Sequence, residues 1–266
     1  MESRSSGGGQ PPVRSTPWCV ARAVWHTLRG QFGFGLKWLG GVGALAQFAR
    51  EYRHFRRLNA GAPFALRPRD ILPCLTDRTA TTPIDPVYFL QDAWFARCVA
   101  ARRPAEHVDV ASSARSMSLV SQFLPVTLVD IRPVEIELPG FTFKAGTILS
   151  LPYPDASIAS LSSLCVIEHI GLGRYGDPFD ARGSEKAATE LTRVLAAGGD
   201  LYMSVPVDDA CRVYFNAHRA FTRDYLLSLF SGLELVEEKY IYGRAYAPAY
   251  APERGFGTGL YHFRRP

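Results

Sequence analysis

Two patterns of hydrophobic and polar residues follow one another along the 266-residue chain. Up to about residue 86, apolar residues are mixed with basic residues, prolines and glycines. From about residue 88, short β-branched runs alternate with segments in which apolar residues recur at helical spacing. Alternating strands and helices are typical of βαβ units around a mainly parallel sheet. The second pattern therefore predicts an α/β fold with a doubly wound, Rossmann-like sheet.

The elements of this second part are predicted from the same pattern. Strands are expected over His107–Val110, Val126–Ile131, Phe141–Ala145, Leu161–Val166, Leu201–Val207 and Leu233–Tyr242. Helices are expected over Val87–Arg102, Ser116–Phe123, Ser184–Leu195 and Arg223–Phe230. Parallel sheets bind ligands at the carboxyl ends of their strands, near the point where the strand order reverses. The residues that follow each strand are therefore the first candidates for function.

The first part divides into two segments before the main domain. Residues 1–16 are rich in Ser, Gly and Pro, and this composition predicts disorder. Residues 17–86 are predicted to form a basic helical extension followed by a linker, because five prolines fall within residues 61–86. The main domain is expected over residues 87–266.

Charge separates the two parts. Residues 1–70 contain eleven Lys and Arg against three Asp and Glu, so this part carries +8 and the remainder −3 of the net +5. A nucleic-acid-binding domain usually carries the positive charge itself. The charge distribution therefore disfavours a nucleic acid partner for the main domain.

The basic extension leaves three interpretations open. Aromatic and basic residues alternate over residues 18–58, which suits a helix on an anionic membrane surface. Residues 31–49 carry a single charge, Lys37, but their five glycines make them a poor membrane span. Packing of a helix on the core is the favoured interpretation, with peripheral membrane contact as the alternative.

The five cysteines are odd in number, scattered and never in a CxxC pair. This spacing disfavours a disulfide framework or a zinc site, and no other metal site is expected. The chain does not open with a secretory signal pattern. A cytoplasmic location, with possible membrane association, is the resulting expectation.

The first candidate site is the turn His107–Arg115, with the sequence HVDVASSAR. The strand ends near Asp109, and the small residues Ala111, Ser112 and Ser113 follow. A nucleoside-binding turn must allow the ligand close to the backbone, and glycines do this best. Glycines are absent here, so an ordinary strand-to-helix turn with a serine as N-cap is the alternative.

The second candidate is Asp130, at the end of the next strand. A carboxylate about 20 residues beyond the first turn can accept hydrogen bonds from ribose hydroxyls. The alternative is a carboxylate that caps the turn or lies at the surface. The spacing of the two strands favours ribose binding.

Three segments in order resemble class I S-adenosylmethionine-dependent methyltransferases. They are AGTILSLPYPDAS (Ala145–Ser157), SLSSLCVIEHI (Ser160–Ile170) and ATELTRVLAAGGDLYMSVPV (Ala188–Val207), and the resemblance covers about residues 105–242. EHIGLGRYGDPFDARGSEKAA, with FNAHRAF downstream, further resembles an uncharacterised methyltransferase-like family, domain of unknown function 268. The resemblance implies a class I methyltransferase fold and S-adenosyl-L-methionine as cofactor.

The resemblance also implies a role for each matching residue. The methionine part of the cofactor would lie along the first turn, the ribose on the second strand's carboxylate, the adenine beside the third segment and the sulfonium above the fourth strand. The residues implied for the methionine part are Asp109, Ala111, Ser112 and Ser113, and the one implied for the ribose is Asp130. Ile131 would pack on the adenine, with Thr147 and Ile148 beside its edge. Cys165 and Val166 would lie next to the sulfonium. The chain departs from the family pattern where the first turn lacks glycines, where Thr147 replaces an acidic residue and where Ala159 replaces an Asp.

The substrate is expected to enter beside Glu168 and His169. His169 could act as general base, since its pKa lies near neutrality, with Glu168 orienting it; a capping or packing pair is the alternative. The loop Gly171–Gly183 follows and could recognise substrate or close over it, or its charges could simply pair with one another. The candidate substrate contacts are Arg174, Tyr175, Asp177, Asn216 and His218. For His218, a surface or capping residue is the alternative.

Three functions fit these features. The favoured one is methyl transfer to a small or glycan-like acceptor. The second is a catalytically degenerate fold that binds a partner or ligand, which the missing glycines would explain. The third is a nucleotide-sugar or dinucleotide-binding protein, which the LPYPDAS and EHI segments disfavour.

Overall fold

The computed structural model describes residues 43–75 and 77–266. The chain divides into two compact units, Met1–Pro83 and Ile84–Pro266. The predicted disordered segment 1–16, and residues 17–42 of the predicted basic extension, lie outside the described residues.

The described part of the first unit contains one α-helix. This helix, α1, covers residues 43–58, and its Gln47 and Glu51 side chains are joined by a hydrogen bond of 2.9 Å one turn apart. A 3₁₀ turn at Pro68–Asp70 follows in an otherwise irregular segment, as its prolines predict. Within residues 43–75 and 77–266, every helix is too short or too polar to cross a membrane.

The second unit is a sheet with helices on both faces. Its helices are α2 (Pro86–Arg102), α3 (Ala114–Val120), α4 (Gly183–Val194) and α5 (Arg223–Leu229). Its strands are β1 (His107–Val110), β2 (Val126–Asp130), β3 (Phe141–Ala145), β4 (Ile158–Leu164), β5 (Leu195–Val207), β6 (Arg212–Tyr214), β7 (His218–Ala220), β8 (Glu234–Tyr242), β9 (Ala245–Ala247) and β10 (Gly257–Arg264). The main sheet has the order β3-β2-β1-β4-β5-β10-β8-β9, and β6 and β7 form a separate hairpin.

The predicted fold class is confirmed, and so are its six strands and four helices, with shifted ends. The chain passes from α4 into β5 at Leu195, so this strand starts earlier than predicted. Strand β4 covers Ile158–Leu164 rather than Leu161–Val166. Four strands were not predicted: the short β6, β7 and β9, and β10, which pairs antiparallel with both β5 and β8.

The core consists of one apolar layer on each face of the sheet. Leu191 and Val194 of α4 and Leu226 of α5 are fully buried on one face, together with Met203 and Val205 of β5. On the other face, the buried aromatic and aliphatic side chains of α2 and α3 pack on β2, β5 and β10. They are Trp94, Phe95, Val99, Met117 and Val120. A sheet covered on both faces explains why the strands read as apolar runs rather than as alternating patterns.

Candidate functional site

The strand order reverses beside β1. The chain runs from β1 outward to β2 and β3, and then returns to the other side of β1 with β4. Strands β1 and β4 pair only at Val108↔Leu161 and Asp109↔Ser162, and then separate. A crevice at such a reversal, at the carboxyl ends of the strands, is where parallel sheets bind ligands.

A cavity of about 360 Å³ lies at this crevice. Its walls come from the turn after β1 at Ala111, the end of β2 at residues 129–132, the loop 146–149, residues 165, 166, 169 and 170 after β4, and the loop 175–178. The volume falls within the range of about 300–1,000 Å³ that is usual for small-molecule sites. The cavity therefore joins five segments that are far apart in sequence.

The turn after β1 adopts a backbone conformation that favours glycine. Ala111 has a φ of +57° and contributes to the cavity wall. Its backbone N–H donates to the carbonyl of Val129, at 2.8 Å. Ala111 thus provides the left-handed turn without a glycine, at a cost of about 1 kcal/mol or more.

Asp109 supports this turn from inside the protein and does not line the cavity. Its side chain is fully buried and accepts hydrogen bonds from Ser112 N at 3.0 Å, from Ser112 Oγ at 2.7 Å and from the Ser162 hydroxyl. Burial raises the pKa of Asp109 to about 6. Of the four residues predicted to line the methionine part of the cofactor, only Ala111 faces the cavity.

Ser112 and Ser113 hold the chain around the crevice. Ser112 Oγ accepts from the N–H of Leu164 at 2.8 Å, in the region where β1 and β4 no longer pair. Ser113 is the N-cap of α3, since its hydroxyl accepts from Ser116 N at 3.4 Å. The N-cap alternative therefore describes Ser113, while Ser112 satisfies a backbone group that the separating strands leave unpaired.

Asp130 ends β2 at the cavity wall and is largely buried. Its Oδ1 accepts from the Arg132 backbone N at 2.9 Å and lies 3.5 Å from Arg132 Nε. No described residue donates to Oδ2. A carboxylate oxygen that borders a cavity without a partner is an acceptor for a ligand's hydroxyl or amino group.

An apolar slot adjoins Asp130. Val129, Ile131, Ile148 and Leu149 contribute to the cavity wall, and Ile131 is 54% exposed. Thr147 also lines the cavity, and its Oγ1 accepts from the backbone N of Leu149 at 3.3 Å. Ile131, Thr147 and Ile148, all predicted to surround an adenine, are therefore brought together in one wall.

The end of β4 supplies the facing wall through Cys165 and Val166. Cys165 has a φ of +55°, a second non-glycine residue in the left-handed region at this cavity. Its thiol donates to Gln91 Oε1 at 3.1 Å, and burial raises the pKa of the thiol well above its usual value. Residues held in such conformations are concentrated at binding sites, where the surrounding structure stabilises them.

His169 follows β4 and borders the cavity. Its Nδ1 lies 2.7 Å from the carbonyl oxygen of Ala217, which can only accept, so the hydrogen is assigned to Nδ1 and Nε2 carries the lone pair. The pKa near neutrality that was expected for His169 is wrong, because burial lowers it to about 4, and the ring is neutral at pH 7. The Ala217 carbonyl, and not Glu168 as predicted, orients the ring, because Glu168 Oε1 is 3.7 Å from Nε2.

The loop between Gly171 and Gly183 closes one end of the cavity with the ring of Tyr175. The guanidinium groups of Arg132 and Arg174 lie 4.8 Å and 5.2 Å from the centre of this ring. Asp177 accepts from Gly171 N at 2.6 Å and Tyr175 N at 3.2 Å, which fixes the loop's local turn. The Asp177 carboxylate therefore bonds to backbone rather than to a loop arginine.

The five predicted substrate contacts occupy different positions. Tyr175 and Asp177 line the cavity, whereas Arg174, Asn216 and His218 do not. Arg174 donates to the Ala217 carbonyl at 2.9 Å, and the His218 ring centre lies 6.4 Å from that of His169. Arg174 and His218 thus adjoin the cavity around His169, while no contact of the Asn216 side chain links it to the cavity.

Arg219, which the sequence did not single out, fixes the base of this loop. It lies in β7, is almost fully buried and donates to the carbonyls of Ile170 at 2.6 Å and Asp180 at 2.9 Å. It thereby joins both ends of the loop. The available signal was an arginine between Ala217 and Phe221, next to apolar residues, since arginines are seldom buried unless their donors are paired.

The main sheet, its order and this cavity place the second unit in the Rossmann-like fold of class I S-adenosylmethionine-dependent methyltransferases. The N-methyltransferase NodS from Bradyrhizobium japonicum WM9, in complex with S-adenosyl-L-homocysteine, superposes with a TM-score of 0.50 at 16% identity, over 68% of this chain and 89% of NodS. The [4+2]-cyclase SpnF does so with a TM-score of 0.50 at 16% identity, over 66% of this chain and 81% of SpnF. At such identities the likeness shows the fold alone.

A family model matches a shorter segment of the chain. Residues 155–243 match the family described as "Caenorhabditis protein of unknown function, DUF268". This segment runs from the residues before β4 to the end of β8 and includes His169 and the loop that follows it. No curated protein matches the chain.

Proposed function

We propose that this protein is an S-adenosylmethionine-dependent methyltransferase with its cofactor in the cavity between Asp130 and the end of β4. The observation that carries the proposal is Asp130, whose Oδ2 accepts from no described residue, beside the apolar slot of Val129, Ile131 and Ile148 at the reversal of strand order. A nucleoside requires this pair of features, because its ribose donates hydrogen bonds and its base is flat and largely apolar.

The residues present fit such a cofactor. Ala111 keeps the left-handed turn, so the backbone can approach a ligand in spite of the absent glycines. The carboxylates of Asp130 and Asp177 border the cavity and favour a ligand that carries positive charge. The sulfonium of the cofactor, when bound, supplies a methyl group that is already activated for transfer.

The chain's own contribution is positioning and proton acceptance. Nε2 of His169 carries a lone pair and is held by the Ala217 carbonyl through Nδ1. It can therefore take the proton of an acceptor hydroxyl or amine at neutral pH, as a general base. Tyr175 and the loop that contains it cover the cavity and limit the access of water.

The acceptor is proposed to be a small or glycan-like molecule that enters beside His169. Tyr175 is 43% exposed, and the ring of His218 continues the aromatic surface away from His169. Aromatic rings of this kind stack on flat or apolar ligand faces. Arg174, Asp177 and Asn216 remain proposed contacts for the polar groups of the acceptor.

A catalytically degenerate binding module is the second candidate. Ala111 adds a methyl group to the cavity wall where a glycine would leave space. The backbone N–H of Arg132 already donates a hydrogen bond to one carboxylate oxygen of Asp130. The cyclase SpnF shares the fold, and a fold does not by itself determine a reaction. Binding of S-adenosylmethionine without methylation of any acceptor would favour this candidate.

Isothermal titration calorimetry with S-adenosylmethionine and S-adenosylhomocysteine tests the proposal. Both ligands are expected to bind, and Asp130→Ala is expected to weaken binding at least about tenfold through the loss of charge-assisted hydrogen bonds. Asp224→Ala, the same change at an exposed carboxylate on α5, is the matched control and is expected to bind as the wild type does. Absence of binding to the wild-type protein at millimolar ligand would contradict the proposal.

We also propose peripheral membrane contact for the basic extension. In α1, Arg50, Arg53, Arg56 and Arg57 are all exposed, and so is Phe55. Exposed basic and apolar side chains on one helix suit the surface of an anionic membrane. Sedimentation of the full chain with phosphatidylserine vesicles, but not with phosphatidylcholine vesicles, is the expected result, and equal sedimentation with both would contradict it.

A further inference from the structure

Glu168 is a buried acid beside the cavity, and the proposed methyl transfer gives it no role. Glu168 lies in the 3₁₀ turn Ile167–His169, directly before the candidate base, and is 1% exposed. Its Oε2 is buried and has no hydrogen-bond partner among the described residues. A buried polar group without a partner destabilises the fold, and this one lies between Cys165 and His169, both of which line the cavity.

The groups that surround Glu168 are mostly neutral. Cys165 faces it from the end of β4, Tyr88 from α2, His169 from its own turn and Arg174 from the following loop. Within the described part of the chain, no Lys or Arg nitrogen lies within 4.0 Å of its carboxylate, and the neutral Nε2 of His169 is 3.7 Å away. Burial under these conditions disfavours the negative charge.

The buried position of Glu168 changes its protonation state at neutral pH. Burial raises the pKa of Glu168 to about 8, so the side chain is mainly a neutral carboxylic acid at pH 7. Its neighbours Cys165 and His169 both border the cavity. A positive charge next to these two residues is thus close to Glu168, and charges interact more strongly inside a protein than in water.

We infer that Glu168 ionises when a cationic ligand occupies the cavity, and that it thereby distinguishes the positively charged methyl donor from the neutral product. This inference rests on the proposed function. Ionised Glu168 attracts the sulfonium of S-adenosylmethionine. S-adenosylhomocysteine carries no sulfonium, so Glu168 stays protonated in its presence. The protein accordingly binds the donor more tightly than the product, which favours release of the product.

The same group completes the proton balance of the transfer. The acceptor's oxygen or nitrogen forms a bond to the methyl carbon as the carbon–sulfur bond breaks, and the electron pair of that bond stays on sulfur. The acceptor's proton passes to Nε2 of His169. Because the cavity is then neutral, Glu168 regains its affinity for a proton and can receive it from His169, 3.7 Å away. The protonated state of the free protein is restored.

Proton release on binding is the direct test. Calorimetry at pH 7 in two buffers of different ionisation enthalpy measures the protons released per ligand bound. S-adenosylmethionine is expected to release more protons than S-adenosylhomocysteine, with a difference that approaches one per protein. Glu168→Gln is expected to remove most of this difference. Glu185→Gln, the same change at a half-buried residue of α4 that does not line the cavity, is expected to retain it.

The pH dependence of the two affinities provides a second measurement. Below the pKa of Glu168 in the donor complex, the acid is neutral in all states, and above about pH 8 it is ionised in all of them. The ratio of donor affinity to product affinity is therefore expected to rise between these limits, by about tenfold or more, since one unit of pKa shift corresponds to a factor of ten. In Glu168→Gln this ratio is expected to stay constant.

The outcomes separate this inference from the proposed function. If neither ligand binds to the wild-type protein, the proposed function fails. If both bind, but with equal proton release and a constant affinity ratio, the function stands and the role of Glu168 is refuted. Should Glu168→Gln fail to fold, the two wild-type measurements decide alone.

Discussion

At the residue scale, side chains replace the functions of missing glycines in the turn after β1. Ala111 adopts the left-handed conformation itself, with a φ of +57°. Ser112 bonds to both Asp109 and Leu164 and so ties the turn to β4. The backbone path that a glycine-rich turn would follow is kept, with a methyl group added to the cavity wall.

Ala111→Gly is expected to raise both stability and cofactor affinity. Relief of the left-handed strain exceeds the entropy cost of glycine, for a net gain of up to about 1 kcal/mol in the free energy of unfolding. Removal of the methyl group also widens the cavity. Urea denaturation and titration with S-adenosylhomocysteine measure the two effects. Ala156→Gly, at an exposed residue with a φ of +51°, is the control that should gain stability without a change in affinity.

Ser112→Ala is expected to destabilise the protein by about 1–3 kcal/mol. The change removes a donor from the buried carboxylate of Asp109 and an acceptor from Leu164 N, and unsatisfied buried groups carry a cost of that size. Ser228→Ala, on the exposed side of α5, is expected to change stability by less than about 0.5 kcal/mol. Equal effects of the two substitutions in urea denaturation would contradict the role given to Ser112.

At the element scale, the loop after His169 and the hairpin of β6 and β7 are structurally coupled. The carbonyl of Ala217 in the hairpin's turn orients His169 and binds Arg174, and Arg219 of β7 binds both ends of the loop. The hairpin therefore positions the candidate base and the cover of the cavity together. These contacts are made by a hairpin whose two strands pair with each other and not with the main sheet.

Arg219→Lys is expected to loosen the loop. A lysine cannot reproduce the forked geometry with which arginine reaches several carbonyls, so buried acceptors lose their donors. Hydrogen–deuterium exchange is expected to become faster over residues 171–183, and stability to fall by about 1–3 kcal/mol. Arg182→Lys, at an exposed position of the same loop, should leave the exchange pattern unchanged. Unchanged exchange in Arg219→Lys would show that other contacts fix the loop.

At the scale of the whole molecule, buried titratable groups make stability depend on pH. Buried histidines destabilise the fold as pH falls, and buried Glu168 destabilises it as pH rises. Burial lowers the pKa of His107 to about 3 and of His169 to about 4, so their protonation favours the unfolded chain as pH falls below the usual histidine pKa of 6.5. Burial raises the pKa of Glu168 to about 8 from an unfolded value near 4.5. Its contribution is therefore present at low pH and is lost as pH rises through 8.

The ionisation of Glu168 is consequently expected to lower stability between about pH 6.5 and pH 8. In this range native Glu168 still holds a proton that the unfolded chain has lost. The buried histidines, which are protonated only in the unfolded chain, contribute an opposite slope that disappears towards pH 8. The decrease is expected to exceed about 1 kcal/mol, because each unit of pH is worth up to about 1.4 kcal/mol per proton. Urea denaturation at several pH values measures it. In Glu168→Gln this decrease should be absent, so that stability rises slightly over the range through the histidines, whereas Glu185→Gln should follow the wild type.

The amino-acid sequence by itself determined the order and type of most elements and the positions of the cavity residues at strand ends. Hydrophobic period and turn residues are local properties, so β1 to β5 and the places of Ala111 and Asp130 could be predicted from them. Strand β10 escaped prediction because its residues are buried on both faces and its partners, β5 and β8, are distant in sequence. Likewise, only the tertiary structure turned Asp109 away from the cavity and buried Glu168, since hydrogen bonds and desolvation arise where separate segments meet.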